Sequence, residues 1–183
     1  MINRSGILRV LESKPQPVDW DVVYESELSR IYNYFLYKVC NRELAQDLTA
    51  ITFERAWKAR GKFNMSLASP ATWLLGIARN ILREELHRNK IIEDEVELLD
   101  ETEKLPSTED VEQSFQELQD KVLLQNLLQE LPEREHDLVA LKYGAGLTNR
   151  EIARATGLSE SNVGSILHRT VTTLRRKWDE CHE

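Results

Sequence analysis

Ser161, Asn162, Ser165, His168 and Arg169 recur at a spacing that puts all five on one side of an α-helix, and each carries a hydrogen-bonding group. Side chains of these types can match the donor and acceptor pattern on base edges in the major groove of DNA. Further along, Arg175-Arg176-Lys177 supplies charges suited to phosphate. Val163, Ile166, Leu167 and Leu174 give the same helix an apolar side with which to pack.

A reading helix needs a second helix to hold it against the duplex, and the residues before it provide one. Thr148 can cap a helix, and Glu151 three residues on completes a capping box. Ile152 and Ala153 then face inward, the small Ala153 suiting a close helix crossing. Gly157 tolerates the positive φ of a sharp turn, Leu158 fills the corner and Ser159 can cap the second helix. Leu147–Arg176 therefore reads as a helix-turn-helix. By itself this motif also fits a metabolite-responsive repressor or the output domain of a response regulator.

Composition narrows the choice. The 183 residues, 41% hydrophobic, can form one large or two small domains. No apolar stretch is long enough to span a membrane, and Arg4 and Arg9 interrupt the N-terminal apolar residues, so no membrane insertion and a cytoplasmic location are expected. Cys40 is expected in the core and Cys181 at a frayed end. The four histidines are scattered, and no phosphate loop, nucleophile elbow or carboxylate-histidine metal pattern is present. Catalytic residues, metal, cofactor and small-molecule substrate are accordingly not expected, and Glu84-Glu85 and Glu133/Glu135 read as solvated helix faces.

The net charge of −7 is unevenly spread: residues 1–90 carry +4, residues 132–183 balance, and residues 91–131 carry −11. Ile91–Asp110, with nine acids and one lysine, reads as a self-repelling linker. On either side the periodicity is helical. One helix starts at Asp19 or Asp21 and runs to about Val39; Asn41 caps a second to about Arg60; after a Gly61–Ala68 loop, Ser69-Pro70 opens a third to about Lys90. Val111–Gln129 and Pro132–Tyr143 precede the helix-turn-helix. The expected fold is all-α: two small helical domains joined by an acidic linker, the C-terminal one a helix-turn-helix. The segments are 1–18 as an N-terminal extension, 19–90, 91–110 as the linker and 111–183. The lack of β alternation argues against a receiver domain.

Within the first domain stand Asp47-Leu48-Thr49-Ala50-Ile51-Thr52-Phe53-Glu54-Arg55-Ala56-Trp57, Lys62-Phe63-Asn64 and Trp73-Leu74-Leu75-Gly76-Ile77-Ala78-Arg79-Asn80; the second holds a motif that opens at Leu131-Pro132-Glu133-Arg134 and ends in the basic run. Together, over Val22–Lys177, they resemble the extracytoplasmic-function sigma factors of bacterial RNA polymerase.

The resemblance implies a transcription initiation factor whose partners are core RNA polymerase, promoter DNA and an inhibitory anti-sigma protein. The second helix would dock on a polymerase coiled coil through Asp47, Glu54 and Arg55, while Leu48, Phe53, Ala56 and Trp57 serve the domain's own core, as does Trp73. Ala50-Ile51 replaces the family's usual Gln-Glu pair, which implies docking that is weaker or differently weighted. Phe63 and Asn64, with Arg79, Asn80, Arg83, His87 and Arg88, would hold the single strand upstream of the start site, an aromatic wall suiting an unstacked base. Glu160, Ser161, Asn162, Ser165, His168 and Arg169 would meet the major groove, with Arg175, Arg176 and Lys177 at phosphates. The linker would thread the polymerase's RNA exit channel or act as a plain tether. Gly164 and Ile166 stand where members often carry Lys and Arg, implying weak DNA binding by the isolated domain. Two other readings remain: a free-standing helix-turn-helix regulator binding operators as a dimer, and an adaptor that binds a coiled coil and no DNA.

Overall fold

The computed structural model describes residues 18–95 and 113–182. The N-terminal extension, except Val18, and most of the acidic linker lie outside the described residues. Among the described residues every regular element is helical.

Capping chemistry sets where the first helices begin. Helix α1, Trp20–Val39, starts where Asp19 accepts hydrogen bonds from the backbone of Asp21 at 3.1 Å and Val22 at 3.3 Å. Helix α2, Arg42–Ala59, starts at Asn41, whose side chain accepts from Leu44 N at 2.9 Å. A 3-10 turn, Arg60–Lys62, follows. Helix α3, Pro70–Glu95, opens with Ser69 Oγ accepting from Thr72 N at 3.2 Å and continues five residues beyond the expected end near Lys90. Cys40 ends α1 at φ 52° and is half-buried, so it terminates a helix rather than lying inside one; its thiol is raised by desolvation.

The second half contains α4, Gln113–Gln129; α5, Glu133–Val139; α6, Asn149–Thr156; and α7, Glu160–Glu180. The helix expected from Pro132 through Tyr143 is not uniform: α5 widens into a π-helical turn over Ala140–Gly144. That turn lies against α1. A Cβ on Gly144 would sit 2.8 Å from the Asn33 carbonyl oxygen and 3.1 Å from the Tyr37 ring, so the approach requires glycine.

The halves share one hydrophobic core. Ile31, Tyr34 and Phe35 of α1, Leu48 and Ala56 of α2, and Leu74, Leu75 and Ala78 of α3 join Leu138, Leu141, Ile152 and Val163 of the second half. Burial at this scale dominates the packing energy, each fully buried aliphatic side chain contributing about 1.5–3 kcal/mol. Polar bonds cross the same joint. The fully buried Tyr34 donates its hydroxyl to Asp137 Oδ1 at 3.0 Å, and Arg79 donates to Asp137 Oδ2 at 2.8 Å and to the Ala155 carbonyl at 2.7 Å. The buried His136 ring meets the Tyr37 carbonyl at 2.7 Å, so Nε2 carries the donated proton and Nδ1 is the nitrogen left to titrate. Lys38, its side chain 4% exposed, pairs with Glu133 at 3.8 Å.

Burial pushes His136 below 6.5, and Lys38 adds to that, while the Tyr37 hydrogen bond and the Glu133 and Asp137 carboxylates oppose it. The folded protein therefore resists a proton that the unfolded chain accepts, and stability contributed at neutral pH is lost as pH falls below 6.5. The unfolding temperature should drop more steeply between pH 7.5 and 5.5, on a scale set by the ordinary His value of ~6.5, in the parent than in His136→Gln, which keeps a donor for Tyr37 but does not titrate; parallel curves from thermal melts would refute this.

Candidate nucleic-acid interface

Local sequence builds the helix-turn-helix as expected. The Thr148–Glu151 capping box is closed by reciprocal bonds, Glu151 N to Thr148 Oγ1 at 3.3 Å and Thr148 N to Glu151 Oε2 at 2.8 Å. The bonds that Thr148 donates to Oε2, from its backbone N and from its hydroxyl at 2.8 Å, hold the Glu151 carboxyl below the usual carboxylate range. Gly157 ends α6 at φ 74° and donates to the Ala153 carbonyl at 2.9 Å, and Ser159 caps α7. Val163, Ile166, Leu167 and Thr170 are buried, leaving Glu160, Ser161, Asn162, Ser165, His168 and Arg169 exposed on the other side.

The α7 end differs from a free basic tail. Arg175 is exposed, but Arg176 pairs with Glu180 at 2.9 Å and Lys177 with Glu130, just past the end of α4, at 2.6 Å. Ile166 is 7% exposed, so a cation would not reach DNA from that position; its lack of charge takes nothing from the outer face. Gly164 is half-buried, and a Cβ there would lie 3.4 Å from Asn149 Nδ2 of α6.

On α3, Asn80, Arg83, His87 and Arg88 are exposed, Arg83 donating to Asn80 Oδ1 at 3.3 Å and Arg88 pairing with Glu85 at 3.0 Å. Arg79 does not join them at the surface. Its guanidinium is bound to Asp137 and Ala155, a commitment between halves that helical spacing within α3 cannot reveal.

The loop before α3 also differs. Phe63 packs between Trp20 and Trp73, at centroid distances of 5.5 and 5.1 Å, and serves as an anchor instead of an open wall. Asn64 turns its side-chain oxygen back to Ser66, accepting from N at 2.9 Å and Oγ at 2.7 Å. Met65 and Leu67, 61% and 83% exposed, form the outward part of this loop, the rest of which, over 61–69, the sequence also offers as candidates beside Phe63 and Asn64.

Helix α2 turns Asp47, Ala50, Glu54, Trp57 and Lys58 outward. Trp57, expected in the core, is 54% exposed because the inner side follows Ala45, Leu48, Thr49, Thr52 and Ala56; the next residue lies about 100° around the helix. Arg60 covers its ring, the guanidinium 3.9 Å from the centroid. Arg55 instead pairs with Glu84 of α3 at 2.7 Å, and that hydrogen bond draws the Glu84 carboxyl below its ordinary value. Lys58 does the same to Glu54.

Among the described residues every regular element is helical, and a helix-turn-helix with an exposed polar row accompanies a second exposed polar face on α3. Residues 23–91 match sigma-70 region 2 and residues 121–174 match sigma-70, region 4. The chain is 31% identical over 134 residues to the ECF RNA polymerase sigma factor RpoE of Cereibacter sphaeroides, covering 73% of this chain and 70% of that protein. It is 30% identical to BldN of Streptomyces coelicolor over 84% of this chain but only 58% of BldN, and 26% identical to SigM of Bacillus subtilis over 85% and 92% respectively. The chain belongs to the ECF sigma factors of RNA polymerase, a family of initiation factors rather than catalysts. Its fold is similar to that of the sigma factor RpoE in complex with the anti-sigma factor NepR from Bartonella quintana, with TM-score 0.64, 19% identity and coverage of 86% of this chain and 95% of that one. It is also similar to CnrH in complex with the cytosolic domain of CnrY, with TM-score 0.58, 17% identity and coverage of 97% and 90%. Among the described residues no helix is long and apolar enough to cross a membrane.

Phe63→Ala should destabilise the first half by about 2–4 kcal/mol, near the range for aromatic truncation, whereas Leu67→Ala should stay within about 0.5 kcal/mol of the parent. Denaturant titration of both variants measures this, and equal losses would refute the division between anchor and exposed lip.

Proposed function

We propose that the chain binds core RNA polymerase, directs it to particular promoters and assists strand opening, with no catalytic residue of its own. It would act in the cytoplasm with polymerase and promoter DNA as partners. The observation that carries this reading is the outward row Glu160, Ser161, Asn162, Ser165, His168 and Arg169 on a helix whose other side is firmly buried. These six would read the major groove, with Arg175 at phosphate; Arg176 and Lys177 would first have to leave their carboxylate partners.

Asn80, Arg83, His87 and Arg88 would follow the separated strand along α3, joined by Arg79 once it is released. An unstacked base would lie against Met65 and Leu67, with the Asn64 amide able to donate and Phe63 holding the loop from behind. On α2, Asp47 and Glu54 would face a polymerase coiled coil together with Trp57, whose exposed ring supplies the apolar contact expected at the centre of an interface. Arg55 would act through α2–α3 geometry unless its bond to Glu84 opens. An anti-sigma protein is the expected inhibitory partner, as in the similar RpoE complex. The presence of both sigma regions disfavours a dimeric operator-binding regulator.

Purified core polymerase with and without this chain, supplied with genomic DNA, should yield defined transcripts only in its presence. Asn80→Ala and Arg169→Ala should each lower them roughly tenfold, consistent with ~1–3 kcal/mol per lost base contact, while leaving polymerase binding within about twofold. A chain that does not associate with core polymerase would overturn the function, and loss of association in either variant would overturn that residue's role.

A further inference from the structure

The end of α7 is tied to α4 through an imidazole that the proposed function does not use. After α7 stops at Glu180, Cys181 and His182 continue as a turn, with Cys181 N donating to the Trp178 carbonyl at 3.2 Å and His182 N to the Asp179 carbonyl at 3.0 Å. The turn lays the His182 ring on Trp178, with ring centroids 4.7 Å apart and planes inclined by 24°. Nδ1 then lies 2.9 Å from the Trp178 carbonyl oxygen, and Nε2 lies 3.1 Å from Asp120 Oδ1 of α4. A second tie joins the same two segments where Lys177 reaches Glu130, just past the other end of α4.

Both partners of the ring, a carbonyl and a carboxylate, are acceptors. A neutral imidazole has one N–H and can serve only one of them, whereas the imidazolium donates to both. The surroundings favour the charged ring as well. It stacks on the face of an indole and sits at a helix C-terminus, where positive charge is stabilised. The charged groups acting on it are Asp120 from α4 and Asp179 from α7, both acidic, while the nearby cations Arg176 and Lys177 are bound to Glu180 and Glu130.

We infer that His182 is a proton-operated clip between α7 and α4, closed by the imidazolium, which bonds Trp178 and Asp120 at once, and loosened when the ring gives up its proton. The hydrogen bond to the Trp178 carbonyl, followed by that to Asp120, raises the ring above its ordinary 6.5. The tie is therefore complete below 6.5 and is lost as pH rises through the higher folded value. This is opposite in sign to His136, whose burial makes acid destabilising. Helix α4 follows the acidic segment along the chain and α7 carries the outward polar row, so the clip sets how firmly one is held to the other as pH changes. It needs neither polymerase nor DNA, and its failure is distinguishable from failure of promoter-directed transcription.

Amide hydrogen exchange of the full-length chain, followed by residue at about pH 6 and about pH 8.5, tests this on the two sides of the titration. Comparing variant with parent at the same pH cancels the intrinsic pH dependence of exchange. His182→Gln can still donate to Asp120 but does not titrate. At the lower pH the amides of residues 121–126 should exchange roughly twofold to fivefold faster in this variant than in the parent, the range of an exposed ion pair, and at the higher pH the two should coincide. Glu130→Gln removes the tie that does not depend on this proton, and should speed exchange by the same factor at both pH values. Imidazole nitrogen shifts of the parent should show both ring nitrogens protonated on the acid side and a midpoint above 6.5, moving down in Asp120→Asn. Coincidence of His182→Gln with the parent at the lower pH would overturn the clip. An equal ratio at both pH values, or a midpoint at or below 6.5, would overturn its operation by the proton.

Discussion

The hydroxyl of Tyr34 and the carboxylate of Asp137 lie 103 residues apart in sequence and meet at 3.0 Å in a buried joint. A phenol buried this completely has to find a hydrogen-bond partner, and burial followed by the nearby carboxylate raises it well above its ordinary value, so it stays protonated and remains a donor. Asp137 is satisfied in turn by Arg79, which extends to the carbonyl of Ala155. This chain of bonds links α1, α3, α5 and α6. The placement of both candidate DNA faces depends on it, since it fixes the reading helix to the first half and determines which cations of α3 are exposed.

The apolar packing beneath these bonds is continuous, but it does not select a geometry by itself. The attraction among Ile31, Phe35, Leu138 and Leu141 has no direction, whereas the Gly144 contact and the His136 hydrogen bond each fix a distance. The joint thus combines a non-directional attraction with a few directional contacts.

Local chemistry was the part legible in sequence. Asp19, Asn41, Ser69, Thr148 and Ser159 cap the helices expected of them, and Gly157 adopts the positive φ its position demands. The outward side of α7 could be read because helical period alone decides it. Relations between segments were not legible. Arg79 occupies a position on α3 that looks open until α5 is placed beside it, and Phe63 resembles an exposed aromatic until Trp20 and Trp73 enclose it. Trp57 was misplaced by composition, since a large apolar residue beside Ala56 suggests burial although the helix turns it out. Ile166 is the opposite case, its missing charge being irrelevant because that position faces the core.

The two candidate DNA faces divide the work by exposure. Helix α7 exposes its polar row in full, whereas on α3 Asn80, Arg83, His87 and Arg88 are exposed and Arg79 is bound to Asp137 and Ala155. The most direct test of the account is permanganate reactivity of thymines in complexes of core polymerase, this chain and a promoter it selects. The account predicts reactive, unpaired thymines just upstream of the start site with the parent chain and their loss with Asn80→Ala, although both chains remain bound. Unreactive thymines in a stable parent complex, or undiminished reactivity in the variant, would contradict it.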